Sequence, residues 1–325
     1  MKLDENATVA MAQARPTYRV WADDAEAFTT LAIGRLHHNF HEHPLLQLDE
    51  LERLAHDLVP LRQCRFVKPG ITQASDFHHD PTHPDGLGID EVFRRIQEAG
   101  SWVALYNVES IPRYQALLTE ILDTVRPMIR RDQGSTFLET GFIFISAPPS
   151  VTPFHIDREN NFWLQLHGRK TMNVWPHTDR DTVAADVVED YIVAHNASKV
   201  KFKEELRARS HEFDVGPGDG VYFPSTSPHT TRSERDWVRP GDGVSVSFGV
   251  NFYTDATRRT ARVHQVNRLL RRRLGMAPTY PGMSRPIDAL KAPLGQLIGV
   301  SRQMAKTVLA PLRGRSALPP PPGSY

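Results

Sequence analysis

"TPFHIDRENNFWLQLHGRK", residues 152–170, decides how this chain is read. Side chains two apart on a strand project to the same face. His155 and Asp157 therefore stand side by side on a regular strand, an imidazole and a carboxylate suited to one metal ion. Gly168-Arg169 reads as a two-residue hairpin turn. Pairing across it sets His167 opposite Lys170, Gln165 opposite Met172 and Trp163 opposite Val174, and opposed residues share a face. If the strand runs back regularly to 155, one surface gathers His155, Asp157, Asn161, an aromatic ring and an ammonium. Two ligands do not make a site, so a third has to come from elsewhere.

"GPGDGVYFPSTSPHTTRS" (216–233) offers His229, at the end of a loop whose course Pro224 and Pro228 restrict. Two histidines and one carboxylate on one side of an ion form the facial arrangement of non-haem Fe(II) oxygenases, with positions left open. A structural zinc site would instead close its fourth position with another protein ligand. In "VSVSFGVNFYT" (244–254), alternation puts Ser245, Ser247, Gly249, Asn251 and Tyr253 on one face. Val244, Val246, Phe248, Val250 and Phe252 take the other. The first face suits a cavity wall and the second suits packing against another layer.

The remaining composition narrows the classes. The 325 residues are 40% apolar and 24% charged, typical of a globular protein, and the net charge of +1 gives no overall attraction to nucleic acid or an anionic membrane. Cys64 is the single cysteine, which excludes an intrachain disulfide and cysteine-held zinc or iron–sulfur centres. No apolar run approaches the roughly 20 residues that span a bilayer. The opening "MKLDENATVAMAQARP" lacks the apolar core of a secretory signal, so the expectation is a cytoplasmic protein.

Leu48, Leu51, Leu54 and Leu58 recur at helical spacing, as do the apolar residues of 111–129. From about 137 the period shortens, and runs bounded by Gly and Pro read as strands. Helical patterning returns at 256–274 and again within 287–312, where an interruption is expected near Pro293. The terminal "LPPPPGSY" reads as an extended tail. The division is an N-terminal mixed region 1–99, a β unit 100–255 and a C-terminal helical region 256–325.

Here a resemblance becomes specific. "TPFHIDRENNFWLQLHGRKTMNVWP" resembles, without a gap, the core motif of the jumonji-C (cupin-like) Fe(II)/2-oxoglutarate oxygenases. It is closest to the branch containing the asparaginyl hydroxylase that inhibits the hypoxia-inducible factor. The similarity resumes at "PGDGVYFPSTSPH" and "VSFGVNFYT", and covers roughly residues 100–255. The resemblance implies a double-stranded β-helix (jelly-roll, cupin-like) core, mainly β, with flanking N- and C-terminal helices. It implies His155, Asp157 and His229 as iron ligands. It further implies Lys170, aided by Thr152, as the partner of the distal carboxylate of 2-oxoglutarate. Asn161, Trp163 and Asn251 would line the co-substrate pocket, with Phe142 and Phe144 packed behind it. The family's co-substrate tyrosine has two candidate replacements, Trp102 and Tyr106, which share a face. The implied activity is hydroxylation of a C–H bond, or N-demethylation when the attacked carbon is attached to nitrogen. O2 is consumed, 2-oxoglutarate becomes succinate and CO2, and the primary substrate is a protein side chain, peptide or small metabolite.

Two other classes compete: a cupin that only binds an anionic small molecule or senses a metal, and a metal-dependent isomerase or other dioxygenase on the same barrel. The clusters His37, His38, His41, His43 and His78, His79, Asp80, His83 read as surface or loop residues, the second near the pocket mouth. The arginines of 256–274 read as a solvated face rather than a phosphate-binding one. Val263, Val266, Leu269 and Leu270 form a stripe that needs a partner, and by the same resemblance the C-terminal helices would build a homodimer.

Overall fold

The computed structural model describes residues 17–309 apart from 68–69, 77–78, 99, 101 and 235–242. His78 and the terminal proline run lie outside the described residues. The chain opens with β1 (Val20–Trp21), β2 (Gly34–His38), α1 (Leu48–Leu58), β3 (Cys64–Phe66), α2 (Ile89–Arg94) and β4 (Trp102–Leu105). α3 (Pro112–Gln133) and β5 (Thr136–Ser146) lead into β6 (Ser150–His155), β7 (Asn160–His167) and β8 (Lys170–Val174). Then come α4 (Ala185–Ala194), β9 (His211–Val215), β10 (Asp219–Phe223), β11 (His229–Ser233) and β12 (Ser245–Thr254). α5 (Asp255–Leu274) and α6 (Arg285–Leu309) close the described chain.

The strands form an 8-stranded sheet, ordered β1-β2-β10-β7-β12-β5-β4-β3, and a 4-stranded sheet, ordered β6-β11-β8-β9. All the pairings are antiparallel, giving the two-layered core of a jelly roll. Strands from before residue 100 join directly into the larger sheet: β2 pairs with β10, and β3 with β4. Alternation along β12 works as the sequence predicts. Val244, Val246, Phe248, Val250 and Phe252 all enter the main core, on the side covered by α3. α3 contributes Tyr114, Leu117, Leu118, Ile121, Leu122, Val125 and Ile129, a continuous helical stripe with Pro112 in its first turn.

The expected hairpin at Gly168-Arg169 does not form. β7 lies in the larger sheet between β10 and β12, whereas β8 lies in the smaller one between β11 and β9. Both edges of β7 are already paired, so β8 has no edge to join. The turn is a corner between sheets. Gly168 adopts φ 63, and a Cβ there would come within 2.6 Å of the Val244 carbonyl oxygen, which only glycine permits. The strand is not regular back to 155 either: β6 ends at His155 in the smaller sheet, and residues 156–159 cross to the larger one.

α6 runs through Pro293 without a break, contrary to the expected interruption. The ring removes one helical hydrogen bond, but α5 supports the helix on both sides of it. Ala292 is buried there, and a Cβ on Gly295 would fall on the backbone of Arg262. Nor are the arginines of α5 simply a solvated face. Arg271 pairs with Glu189 (3.0 Å), and Arg268 and Arg272 with Asp190 (2.9 and 2.5 Å), tying α5 to α4. No helix among the described residues is long and apolar enough to cross a membrane.

Candidate metal centre and co-substrate cavity

The tertiary fold brings His155, Asp157 and His229 together from three local settings: the end of β6, the crossover after it, and the start of β11. β6 and β11 pair directly at His155 and His229. The imidazole rings stand 4.1 Å apart between centroids, and one ligand atom from each of the three side chains falls within 4.8 Å of the others. Asp157 carboxylate oxygens lie 3.9 Å from Nε2 of His155 and 3.6 Å from Nε2 of His229.

Backbone carbonyls fix both rings. His155 Nδ1 donates to the Pro153 oxygen at 2.8 Å and His229 Nδ1 to the Ser227 oxygen at 3.1 Å. A carbonyl only accepts, so Nδ1 carries the proton and Nε2 keeps its lone pair toward Asp157. Burial, then the neighbouring His155, lowers the His229 pKa to about 4, which keeps it in the neutral form that binds metal. The Thr226 amide donates to the Asp157 carbonyl at 2.8 Å, so the loop that delivers His229 also holds the crossover. Among the described residues no fourth side chain completes this cluster, and a metal ion held here keeps open positions.

Deeper between the sheets lies Lys170. It projects from β8 across the interior, is 3% exposed, and donates to the Ser247 hydroxyl of β12 at 3.4 Å. No carboxylate among the described residues pairs with it, and burial lowers its pKa to about 8. The single surface expected from a hairpin is instead two surfaces facing each other. Trp163, Val221 and Phe223 of the larger sheet pack against Met172, Val174 and Val215 of the smaller. Asn161 and Asn251 are directly paired across β7 and β12, and both amide oxygens are buried without a hydrogen bond. A Cβ on Gly249 would meet these amides at 3.3 and 3.4 Å, so its hydrogen leaves the space they enter.

Thr152, on β6, receives the Thr231 hydroxyl's hydrogen bond at 2.9 Å. Phe142 and Phe144 pair with Gly249 and Ser247 across β5 and β12. They therefore share the cavity face rather than packing behind it. Tyr106 packs on both phenylalanines, at 4.9 and 6.1 Å, and stacks on His79 at 4.7 Å. Burial and then the Asp157 charge push the Tyr106 hydroxyl pKa upward. Trp102 packs on Phe144 at 5.5 Å.

Sequence reasoning missed Glu159 and Tyr191. Glu159 lies two positions after Asp157 in the crossover and accepts the Tyr253 hydroxyl at 2.5 Å. Tyr191 comes from α4, between β8 and β9, a segment without a motif of its own. Asp157 and Glu159 both raise its pKa after burial. Of the histidine clusters, His38 is buried with Nε2 at 3.0 and 3.1 Å from two carbonyls, and His37 pairs with Asp23 at 3.0 Å. Neither cluster forms a three-ligand group among the described residues.

A model of the cupin-like domain matches residues 96–258, half of the chain. The chain belongs to the cupin-like family. Among solved structures, this cupin-like chain is similar to YcfD of E. coli at 17% identity and a TM-score of 0.45, covering 88% of this chain and 69% of that one. A structure of YcfD, an E. coli ribosomal oxygenase, with cobalt and succinic acid matches at 17% identity and a TM-score of 0.43, covering 87% and 68%. The same ribosomal oxygenase with cobalt and 2-oxoglutarate matches at 18% identity and a TM-score of 0.36, covering 75% and 58%.

Proposed function

We propose that this cupin-like protein is an Fe(II)- and 2-oxoglutarate-dependent oxygenase that hydroxylates a C–H bond of a protein side chain, peptide or small metabolite. The observation that carries the reading is Lys170, a buried ammonium with no anion paired to it among the described residues, in the same barrel as an open two-histidine, one-carboxylate cluster. A buried cation is costly unless paired. The distal carboxylate of 2-oxoglutarate supplies the partner, while the keto-acid end meets the metal. The donor set suits iron with coordination positions to spare.

His155, Asp157 and His229 hold the ion, and the Pro153 and Ser227 carbonyls keep each ring in its binding tautomer. Lys170, which donates to Ser247, orients the co-substrate, and Thr152 aids it. The Asn161 and Asn251 amides offer polar contacts along its length. Trp163, Phe142, Phe144 and Tyr106 exclude water. Bound iron supplies the redox chemistry that couples conversion of 2-oxoglutarate and O2 into succinate and CO2 to hydroxylation. The ungapped correspondence from Thr152 to Pro176 supports kinship with the asparaginyl hydroxylase branch.

The test is succinate release with Fe(II), 2-oxoglutarate and O2, without a primary substrate. Slow succinate formation above a metal-free control is expected. Wild-type protein that holds both Fe(II) and 2-oxoglutarate yet forms no succinate, alone or with candidate substrates, would establish the binding-only cupin instead.

A homodimer belongs to the same proposal. α6 turns Ala292, Gly295 and Gly299 toward α5 and leaves Leu290, Leu294, Leu297 and Val300 exposed by 49–69%. Such a stripe needs cover, and a second copy provides it. Sedimentation should show a dimer that Leu294→Glu with Leu297→Glu dissociates.

A further inference from the structure

The inner face of the larger sheet carries a cation of its own, apart from Lys170 on the smaller one. Direct pairing runs in one row from Arg65 on β3 through Ala104 on β4 and Phe144 on β5 to Ser247 on β12. Directly opposed residues share a face, so Arg65 stands on the face of Phe144 and Ser247. The flanking residues agree. Cys64 and Phe66 enter the main core on the other side, whereas Val67 packs with Trp102 and Ala104, beside Tyr106 and Phe144.

This side of the barrel is also where the two sheets are joined. β3 and β6 each end their own sheet. The chain after β3 reaches across to β6, where the Gln73 carbonyl accepts the Phe154 amide at 2.9 Å, and returns to pair Asp80 with Phe66. β6 is the strand that ends in His155, so Arg65 lies on the metal-strand side of the cavity.

Arg65 has no counter-charge in the protein. Among the described residues it forms no ion pair, and its Nε is buried without a hydrogen-bond partner. Asp80, opposite Phe66, takes the face of Phe66 and not that of Arg65. The Asp157 oxygens are directed at His155 and His229. An edge-strand arginine that only guards against aggregation keeps its head group in water. Burial of Nε beside an aromatic cluster does not fit that role, and a guanidinium keeps its charge at any working pH.

We propose that Arg65 selects the primary substrate by holding an oxyanion of it, a carboxylate or phosphate group, in the fork of its guanidinium. The inference rests on the oxygenase reading and names the substrate class of that site. The planar fork matches both groups with two parallel hydrogen bonds, and the bonds are charge-assisted. A cationic substrate is repelled, and a neutral one leaves the guanidinium unpaired.

The test uses full-length protein loaded with Zn(II), which cannot turn over, and 2-oxoglutarate, with both loadings measured first. The probes are pentanoate and n-butylphosphonate against pentanamide and n-pentylamine, followed by saturation-transfer NMR. The anionic probes should bind at about tenfold lower concentration than the others. Arg65→Gln should remove that preference. Arg65→Lys should keep part of it, because an ammonium supplies the charge without the fork. Binding of pentanoate alone assigns a carboxylate, and binding of both anions assigns either group; each result supports the proposal. Equal binding of anionic and neutral probes by wild-type protein overturns it, as does an unchanged preference in Arg65→Gln or no binding by any probe. Release of 2-oxoglutarate by the anionic probes, or loss of its loading in Arg65→Gln, would assign the anion or the guanidinium to the co-substrate and overturns it too. Failure of wild-type protein to take up 2-oxoglutarate overturns the oxygenase reading instead, and is seen before any probe is added.

Discussion

The metal end and the lysine end of the cavity are built in opposite ways. At the metal end every ligand is tethered: each imidazole donates to the carbonyl two residues before it, and the Asp157 backbone accepts from Thr226. The geometry exists before any ion arrives. At the other end a buried ammonium has one long contact to Ser247. That end is organised for a ligand but not satisfied without one. A metal site gains from fixed ligands, whereas a co-substrate pocket gains affinity by leaving a charge for its ligand to neutralise.

The contrast can be broken most severely at Asp157. Asp157→Ala removes the single anionic ligand of the cluster, and succinate formation should be lost even if the two histidines retain some metal. Assaying succinate at saturating Fe(II) checks this. Lys170→Ala should act at the opposite end. Stranding a buried carboxylate costs on the order of 3–5 kcal/mol, or about two to three orders of magnitude in 2-oxoglutarate affinity. Metal binding should change far less, and calorimetric titration of each ligand separates the two effects. Unchanged 2-oxoglutarate affinity would remove Lys170 from the site.

Acidity sharpens the comparison further. The folded pKa of Lys170, lowered by burial to about 8, lies below its ordinary value. The unfolded chain therefore binds more protons than the folded one as pH rises from about 8 toward the ordinary lysine value near 10.4, and the contribution of Lys170 to stability increases across that window. Affinity for 2-oxoglutarate should move the other way, falling above about pH 8 as the free protein loses the ammonium. Binding isotherms across pH 7–10, with Lys170→Ala as the flat reference, test the sign. The smallest effect is expected at Gly249→Ala. A Cβ at 3.3–3.4 Å from the Asn251 and Asn161 amides forces a shift of a few tenths of an ångström. The cost should be about 1 kcal/mol, read as a modest loss of 2-oxoglutarate affinity with no change in metal binding.

Much of this was legible in the primary structure. The spacing of His155, Asp157 and Lys170, the proline-bounded loop before His229 and the alternation of β12 are local patterns, and local patterns follow from backbone periodicity. Other features were not legible. Whether β7 and β8 pair depends on which strands have already occupied the edges of β7, and those strands, β10 and β12, lie far along the chain. The triad does not depend on a hairpin at Gly168-Arg169, because pairing of β6 with β11 brings His155 and His229 together.

Sequence by itself determined which chemistry was available: a facial metal-ligand set, one lysine in the right motif, and a polar strand face opposite an apolar one. Tertiary structure alone decided that Lys170 reaches across to Ser247 on the opposite sheet, and that the arginines of α5 are tied to α4. It also decided that Glu159 accepts the hydrogen bond of the Tyr253 hydroxyl from β12. The physical reason is that residue type and period are encoded within a few neighbours, whereas pairing partners and buried charge depend on contacts between segments tens of residues apart.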